Sequence, residues 1–270
     1  MLHEGEHFFT KGFGERNRLF EKEACQVFET FYAEAKEPDE MIHVTCTGYV
    51  APSPGQRLIA SHGWKTKLLH LYHMGCFGSV PAIRIAQAMQ GCVDVVHTEI
   101  CSLHFNHKAH DAEQIVAQSL FADGFIKYSV SEQPTGFRIL QIEEQLLPDT
   151  ADQMTWNCED WGLKMTLSRQ VPQHFQSAVE PFVMRFGRVD YFALHPGGPK
   201  IIDQIQRQLQ LCDDQVAHSR KILQQYGNMS SATLPHILEE MVGDLSPGDR
   251  VLGLAFGPGL MMVGLLLETV

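Results

Sequence analysis

Apolar residues along the chain fall into short segments whose period changes between that of a helix and that of a strand. Over 16–35, Phe20, Ala24, Val27, Phe28 and Phe31 recur at three- and four-residue spacing among charges, which predicts an amphipathic helix packed on a core. Pro38 and Asp39 end it. A short β-rich run follows at 41–47, then a loop with prolines, a helix over 56–64, a strand over 68–74 and a helix over 80–90. Residues 92–100 are nearly continuous in apolar and β-branched side chains, the pattern of a strand buried on both faces. A helix is expected over 112–121. Strands are expected over 124–130 and 137–147, separated by a turn at 133–136.

The second half repeats the scheme. A strand is expected over 163–167, a mostly helical stretch over 171–186 and a short strand over 190–194 that ends at His195-Pro196-Gly197-Gly198-Pro199. Ile201, Ile202, Ile205 and Leu209 line one face of a helix over 200–211. Gly227-Asn228-Met229-Ser230-Ser231 opens a further helix that runs to Met241, and strands are expected over 251–256 and 260–267. Alternating strands and helices predict a layered α/β fold. No flexible linker divides the halves, so 1–147 and 148–270 are expected to share one core.

Composition narrows the function. The 270 residues are 44% hydrophobic and 20% charged, with a formal net charge of −11 and no polybasic run, which disfavours a nucleic-acid or anionic-membrane partner. The apolar stretch 251–267 is broken by Gly257-Pro258-Gly259 and reads as buried strands, not a membrane span. Residues 1–7 lack the basic and apolar regions of a signal peptide. Seven cysteines at irregular spacing, without a CxxC pair, point to reduced thiols in a cytoplasmic setting. Of the fourteen histidines, His104, His107 and His110 are the densest group, but no acidic or thiol partner stands at zinc-site spacing. A solvated loop is expected there, and no metal.

Chemistry concentrates at three junctions beside helices. Cys76, in Gly75-Cys76-Phe77-Gly78, follows an expected strand and precedes an expected helix, where the macrodipole favours an anion and would depress a thiol pKa. The competing reading is a small buried hydrophobe. His195 follows another strand and Asn228 precedes another helix; singly they read as a tight turn and an N-cap. If the three meet, they supply an acylatable sulfur, an imidazole that stabilises the thiolate, and an amide that joins the imidazole as an oxyanion hole.

These segments, in this order, resemble the type III polyketide synthases, the chalcone and stilbene synthase relatives of the thiolase fold. Gly75-Cys76-Phe77 resembles the nucleophile motif, His195-Pro196-Gly197-Gly198-Pro199 the histidine motif and Gly227-Asn228-Met229-Ser230-Ser231-Ala232 the asparagine motif. Phe256-Gly257-Pro258-Gly259-Leu260 resembles the Gly-Pro loop, and Gln118-Ser119-Leu120-Phe121-Ala122-Asp123-Gly124 the segment that bears a phenylalanine at the pocket entrance. The resemblance implies a thiolase-like layered α/β fold of two similar halves. It implies an acyltransferase with Cys76, His195 and Asn228 as catalytic residues, without a cofactor. Cys76 would take an acyl group from a CoA starter, and His195 with Asn228 would hold malonyl-CoA during decarboxylative Claisen condensation. Phe121, Cys101, His104, Trp156, Met165 and Ser230 would line the substrate pocket, with Trp156 bulky where some members carry glycine. Gly197, Gly198, Lys200, Gly257, Pro258 and Gly259 would form the loops near CoA, and a homodimer is implied.

Two departures accompany the resemblance. Ala255 stands where many members have the first glycine of the loop. The fold is also expected to be N-terminally shortened, without the strand-helix segment whose basic residues contact CoA phosphates. The alternatives are a ketoacyl-carrier-protein synthase III-like enzyme that condenses once, a non-catalytic dimerising subunit, and a cysteine hydrolase.

Overall fold

The computed structural model describes residues 11–270 apart from residue 134. The stretch read as lacking a signal peptide lies outside the described residues, as does part of the turn expected at 133–136. The first sheet contains β1 (Glu40–Thr45), β2 (Lys67–Tyr72), β3 (Val93–Glu99) and β4 (Gly124–Val130) in the order β2-β1-β3-β4, with β1 parallel to β2 and β3, and β4 antiparallel to β3. The second contains β5 (Phe137–Leu146), β8 (Tyr191–Leu194), β9 (Arg250–Gly257) and β10 (Met261–Thr269) in the order β5-β10-β9-β8. β6 (Met154–Glu159) and β7 (Gly162–Leu167) form a separate two-stranded ribbon. Since β5 belongs to the second sheet, the chain changes sheets before the division expected at 147.

The central strands follow from their period. Along β9, Val251 and Ala255 enter one buried cluster, while Leu252, Leu254 and Phe256 enter the cluster on the other face. β10 alternates likewise, with Val263, Leu265 and Leu267 against Met262 and Leu266. Two helices are buried between the sheets, α3 (Ser79–Ala88) and α8 (Thr233–Val242). Val80 and Ile83 of α3 and Leu234, Ile237 and Met241 of α8 join Ile126 of β4 and Ala193 of β8 in one cluster, so the two halves share a core. The outer layers are α1 (Phe13–Tyr32) and α2 (Pro54–His62) on the first sheet, and α5 (Val171–Val183) and α6 (Pro199–Gln208) on the second. α4 (Ala112–Leu120) leads into Phe121, and α7 (Ala217–Tyr226) packs beside α8.

Several histidines are held neutral by this burial. Loss of solvent lowers the pKa of His43, His97 and His195 to about 3 and that of His104 to about 4. An unfolded histidine titrates near ~6.5, so these groups stabilise the fold above that pH, and the contribution is lost as pH falls toward the folded values. Melting temperature should therefore fall steadily on acidification from about pH 7 to about pH 5, where carboxylates remain ionised. A flat or rising profile over that window would contradict neutral burial.

Candidate active site

The nucleophile turn is built where β2 ends. The N–H of His73 donates to the Thr45 carbonyl (2.9 Å), and positive φ at His73 and Gly75 bends the chain before the turn 76–78 leads into α3. Gly75 N–H donates to the Cys46 sulfur at 3.0 Å. A Cβ on Gly75 would lie 2.6 Å from Pro258 Cδ, and one on Gly257 would lie 2.5 Å from the Phe77 ring. The Gly-Pro loop is thus wedged against the nucleophile turn, and both glycines are required by close approach.

Asn228 is fixed by backbone and side chain together. Its N–H donates to the Leu120 carbonyl and its carbonyl accepts from Ala122 N–H, each at 2.8 Å, so it bridges Phe121 like a strand residue. Its Oδ1 accepts from Ser230 N–H at 2.9 Å. That bond orients the amide and leaves Nδ2 free to donate, and the Asn228 and Ser230 side chains stand near enough to the Cys76 sulfur to favour its anion. His195 follows β8, with its N–H on the Leu254 carbonyl at 2.8 Å, and it is buried. Neither ring nitrogen has a hydrogen-bond partner among the described residues. The histidine and asparagine segments pack on the same stretch: Gly198 faces the Leu120 side chain, and Gly227 faces the Leu120 carbonyl and Ala122. Cys76 and Asn228 are therefore neighbours, and His195 is carried by the adjoining loop with its ring bonded to neither.

The electrostatics correct one expectation. The Cys76 thiol is not depressed but pushed up to about 12, first by burial and then by the Glu99 carboxylate, against the opposing hydrogen bonds from Ser230, Asn228 and its own N–H. α3 begins only at Ser79 with Gly78 as its N-cap, so Cys76 precedes the first helical turn, where the dipole acts. With His195 neutral as well, the free site holds a thiol and an imidazole rather than an ion pair, and His195 does not stabilise a standing thiolate.

Glu99, which the sequence reading does not single out, ends β3 and braces the site. Its Oε2 accepts from Cys46 N–H (3.0 Å) and the Thr47 hydroxyl (3.2 Å), and its Oε1 accepts from Ser231 N–H (3.3 Å) and the Ser231 hydroxyl. Because Ser231 donates its proton there, its oxygen accepts from His97 Nδ1–H at 3.0 Å, and His97 Nε2 accepts from the Tyr128 hydroxyl at 3.2 Å. The network ties the asparagine turn to the first sheet. The signal was an acid at the carboxyl end of a strand read as buried on both faces.

A cavity of about 20 Å³ adjoins Cys76, walled by Phe121, Cys101, Trp156, Met165 and Ser230 among the expected pocket residues. Cys46, Thr47, Gly75 and Pro258 complete it. For Cys46 and Thr47 the sequence signal was the carboxyl end of the strand at 41–47, the edge at which open α/β sheets bind ligands. His104 is neither a pocket wall nor part of a solvated loop. It is buried behind Trp156, ring centroids 5.6 Å apart, with Nε2–H donating to the Thr47 carbonyl and Nδ1 accepting from Leu163 N–H. His107 and His110 are exposed. Among the described residues no cluster of histidine, cysteine and acidic side chains could hold a metal ion. Gly197 is half-buried and Lys200 exposed in the first turn of α6, while Gly259 adopts a φ of 141°. A wider depression between α6 and α7 is lined by Asp203, Gln206, Arg207 and Arg220 and contains none of the candidate residues, so size alone does not locate the chemistry.

The chain resembles known proteins over nearly its whole length. Residues 138–270 match the family described as chalcone and stilbene synthases, C-terminal domain. A putative chalcone synthase of Bacillus subtilis is 27% identical, over 92% of this chain and 78% of the relative. The 1,3,6,8-tetrahydroxynaphthalene synthase of Streptomyces griseus is 29% identical, over 92% of this chain and 74% of the relative. The crystal structure of the C-terminal type III polyketide synthase domain of Steely1, a hybrid from Dictyostelium, superposes with a TM-score of 0.88 at 26% identity, covering 97% of this chain and 81% of that one. The layered fold that this superposition places in the thiolase-like class, the ordered motifs and the C-terminal match agree: the chain is similar to the type III polyketide synthases along nearly its whole length, and its residues 138–270 match the chalcone and stilbene synthase C-terminal domain.

Proposed function

We propose that the protein is an acyltransferase that builds polyketides by decarboxylative Claisen condensation of malonyl-CoA onto an acyl group held on Cys76. The observation that carries this reading is the Asn228 amide, oriented by Ser230 N–H and close enough to the Cys76 sulfur to favour its anion, on a stretch that also packs the loop of His195, whose ring nitrogens have no partner among the described residues. Cys76 attacks the thioester carbonyl of an acyl-CoA starter. The C–S bond to CoA breaks, and the thiol proton passes through His195 to the departing CoA sulfur. A neutral thiol and a neutral imidazole suit this order, because the proton moves only as the nucleophile attacks.

Malonyl-CoA then places its thioester oxygen against the His195 N–H and the Asn228 Nδ2–H. The bond to CO2 breaks, and its electron pair forms an enolate that these two donors stabilise. The enolate carbon attacks the Cys76 thioester, the new C–C bond forms, the C–S bond breaks, and the sulfur leaves as a thiolate that takes a proton from solvent. Supplied with labelled malonyl-CoA and a panel of acyl-CoA starters, the enzyme should yield products longer by successive two-carbon units. Strict dependence on a carrier protein with a single condensation would favour the ketoacyl-carrier-protein synthase reading instead.

The working unit is a cytoplasmic homodimer in this reading. β2 is an edge of the first sheet with Leu69 36% exposed, and an open edge strand invites pairing with a second copy. Light scattering should give twice the chain mass; the mass of one chain at working concentration would contradict it. No described helix is long and apolar enough to cross a membrane.

A further inference from the structure

The cavity beside Cys76, about 20 Å³, accommodates a water molecule but no growing acyl chain. One wall has to yield, and the β6–β7 ribbon is the part that no ladder joins to either main sheet. Trp156 of β6 reaches the nucleophile side through two hydrogen bonds. Its Nε1–H donates to the Cys46 carbonyl at 2.6 Å, and its own carbonyl accepts from His73 Nε2–H at 2.7 Å.

His73 is unusual in itself. It lies three residues before Cys76 with a φ of 63°, a conformation that costs a side-chain-bearing residue energy. Its ring packs 5.4 Å from that of Tyr49. Because a carbonyl can only accept, Nε2 carries the proton, and the Nδ1 lone pair is buried without a partner among the described residues. Strain and an unmet acceptor coincide at the side chain that, among the described residues, joins the nucleophile turn to the Trp156 backbone.

We propose that His73 is a positioning residue that latches the β6–β7 ribbon, and with it Trp156, over Cys76, and so sets how long an acyl chain the site admits. The chain-length part rests on the condensation reading above; the latch does not. In the full-length protein, Cys76 is alkylated at one pH by iodoacetamide and, separately, by the bulkier N-(1-pyrenyl)maleimide, with the site mapped by mass spectrometry. His73→Gly suits the positive φ while it deletes the imidazole, so it should fold. It should raise the bulky-to-small rate ratio about tenfold, the scale of one lost hydrogen bond. His73→Gln, whose amide can donate to the same carbonyl, should remain near wild type. An unchanged ratio in His73→Gly, or an equal rise in His73→Gln, overturns the latch.

With malonyl-CoA and one starter, His73→Gly should shift products by at least one extension, and an unchanged distribution overturns the chain-length role. If the ratio shifts but wild type makes no condensation product, the latch stands and the condensation reading fails. If wild type condenses and neither readout moves, the latch fails alone.

Discussion

Cys76→Ala should abolish chain transfer while loss of CO2 from malonyl-CoA continues. The proposed mechanism divides the work between two sets of groups: the sulfur would accept the acyl chain, whereas His195 and the Asn228 amide would hold the thioester oxygen on which enolate charge develops. Removing the sulfur takes away the only covalent anchor assigned to the acyl group, and losses on the order of 10⁶-fold accompany nucleophile removal elsewhere. The donors keep their supports, since Asn228 is held by Leu120, Ala122 and Ser230 rather than by Cys76. Release of labelled CO2 and formation of extended product, assayed in parallel, should separate in this variant. Equal loss of both would mean that the sulfur, and not the donor pair, governs decarboxylation.

Asn228→Ala should have the complementary effect, lowering decarboxylation and condensation together by roughly 10²–10³-fold, the usual cost of one oxyanion donor. The loss should appear in kcat with little change in KM, because charge on the thioester oxygen grows only as CO2 departs. Transfer of the starter acyl group to Cys76 should persist, with the imidazole available as proton carrier. The variant also frees Ser230 N–H, which carries a stability cost of about 1 kcal/mol and not unfolding. A kcat within a fewfold of wild type would remove Asn228 from the charge-stabilising role.

Much of the framework was legible because it rests on period. β9 and β10 alternate between two buried clusters, and continuous apolar composition identified both, as it did β3. β6 escaped because Met154–Glu159 is half-exposed, belongs to a detached ribbon and shows no clean alternation. α7 escaped because it buries only Ser219 and Ile222, too few to print a helical stripe. At the site, local motifs announced Cys76, His195 and Asn228, since turn glycines and helix starts are written in adjacent residues. The state of the sulfur was not legible. It depends on Glu99, distant in sequence and brought near by β3, and on burial that completes itself only when both halves pack. His104 misled for the same reason: its neighbours His107 and His110 are exposed, while Thr47 and Leu163 enclose it.

The central claim is that Cys76 carries the acyl group. Incubation with an acyl-CoA starter alone, followed by digestion and mass spectrometry, should find the acyl mass on the peptide containing Cys76, with one equivalent of CoA released and no label in Cys76→Ala. An acyl group on Cys46, Cys101 or any other residue, or CoA release without a covalent adduct, would contradict it.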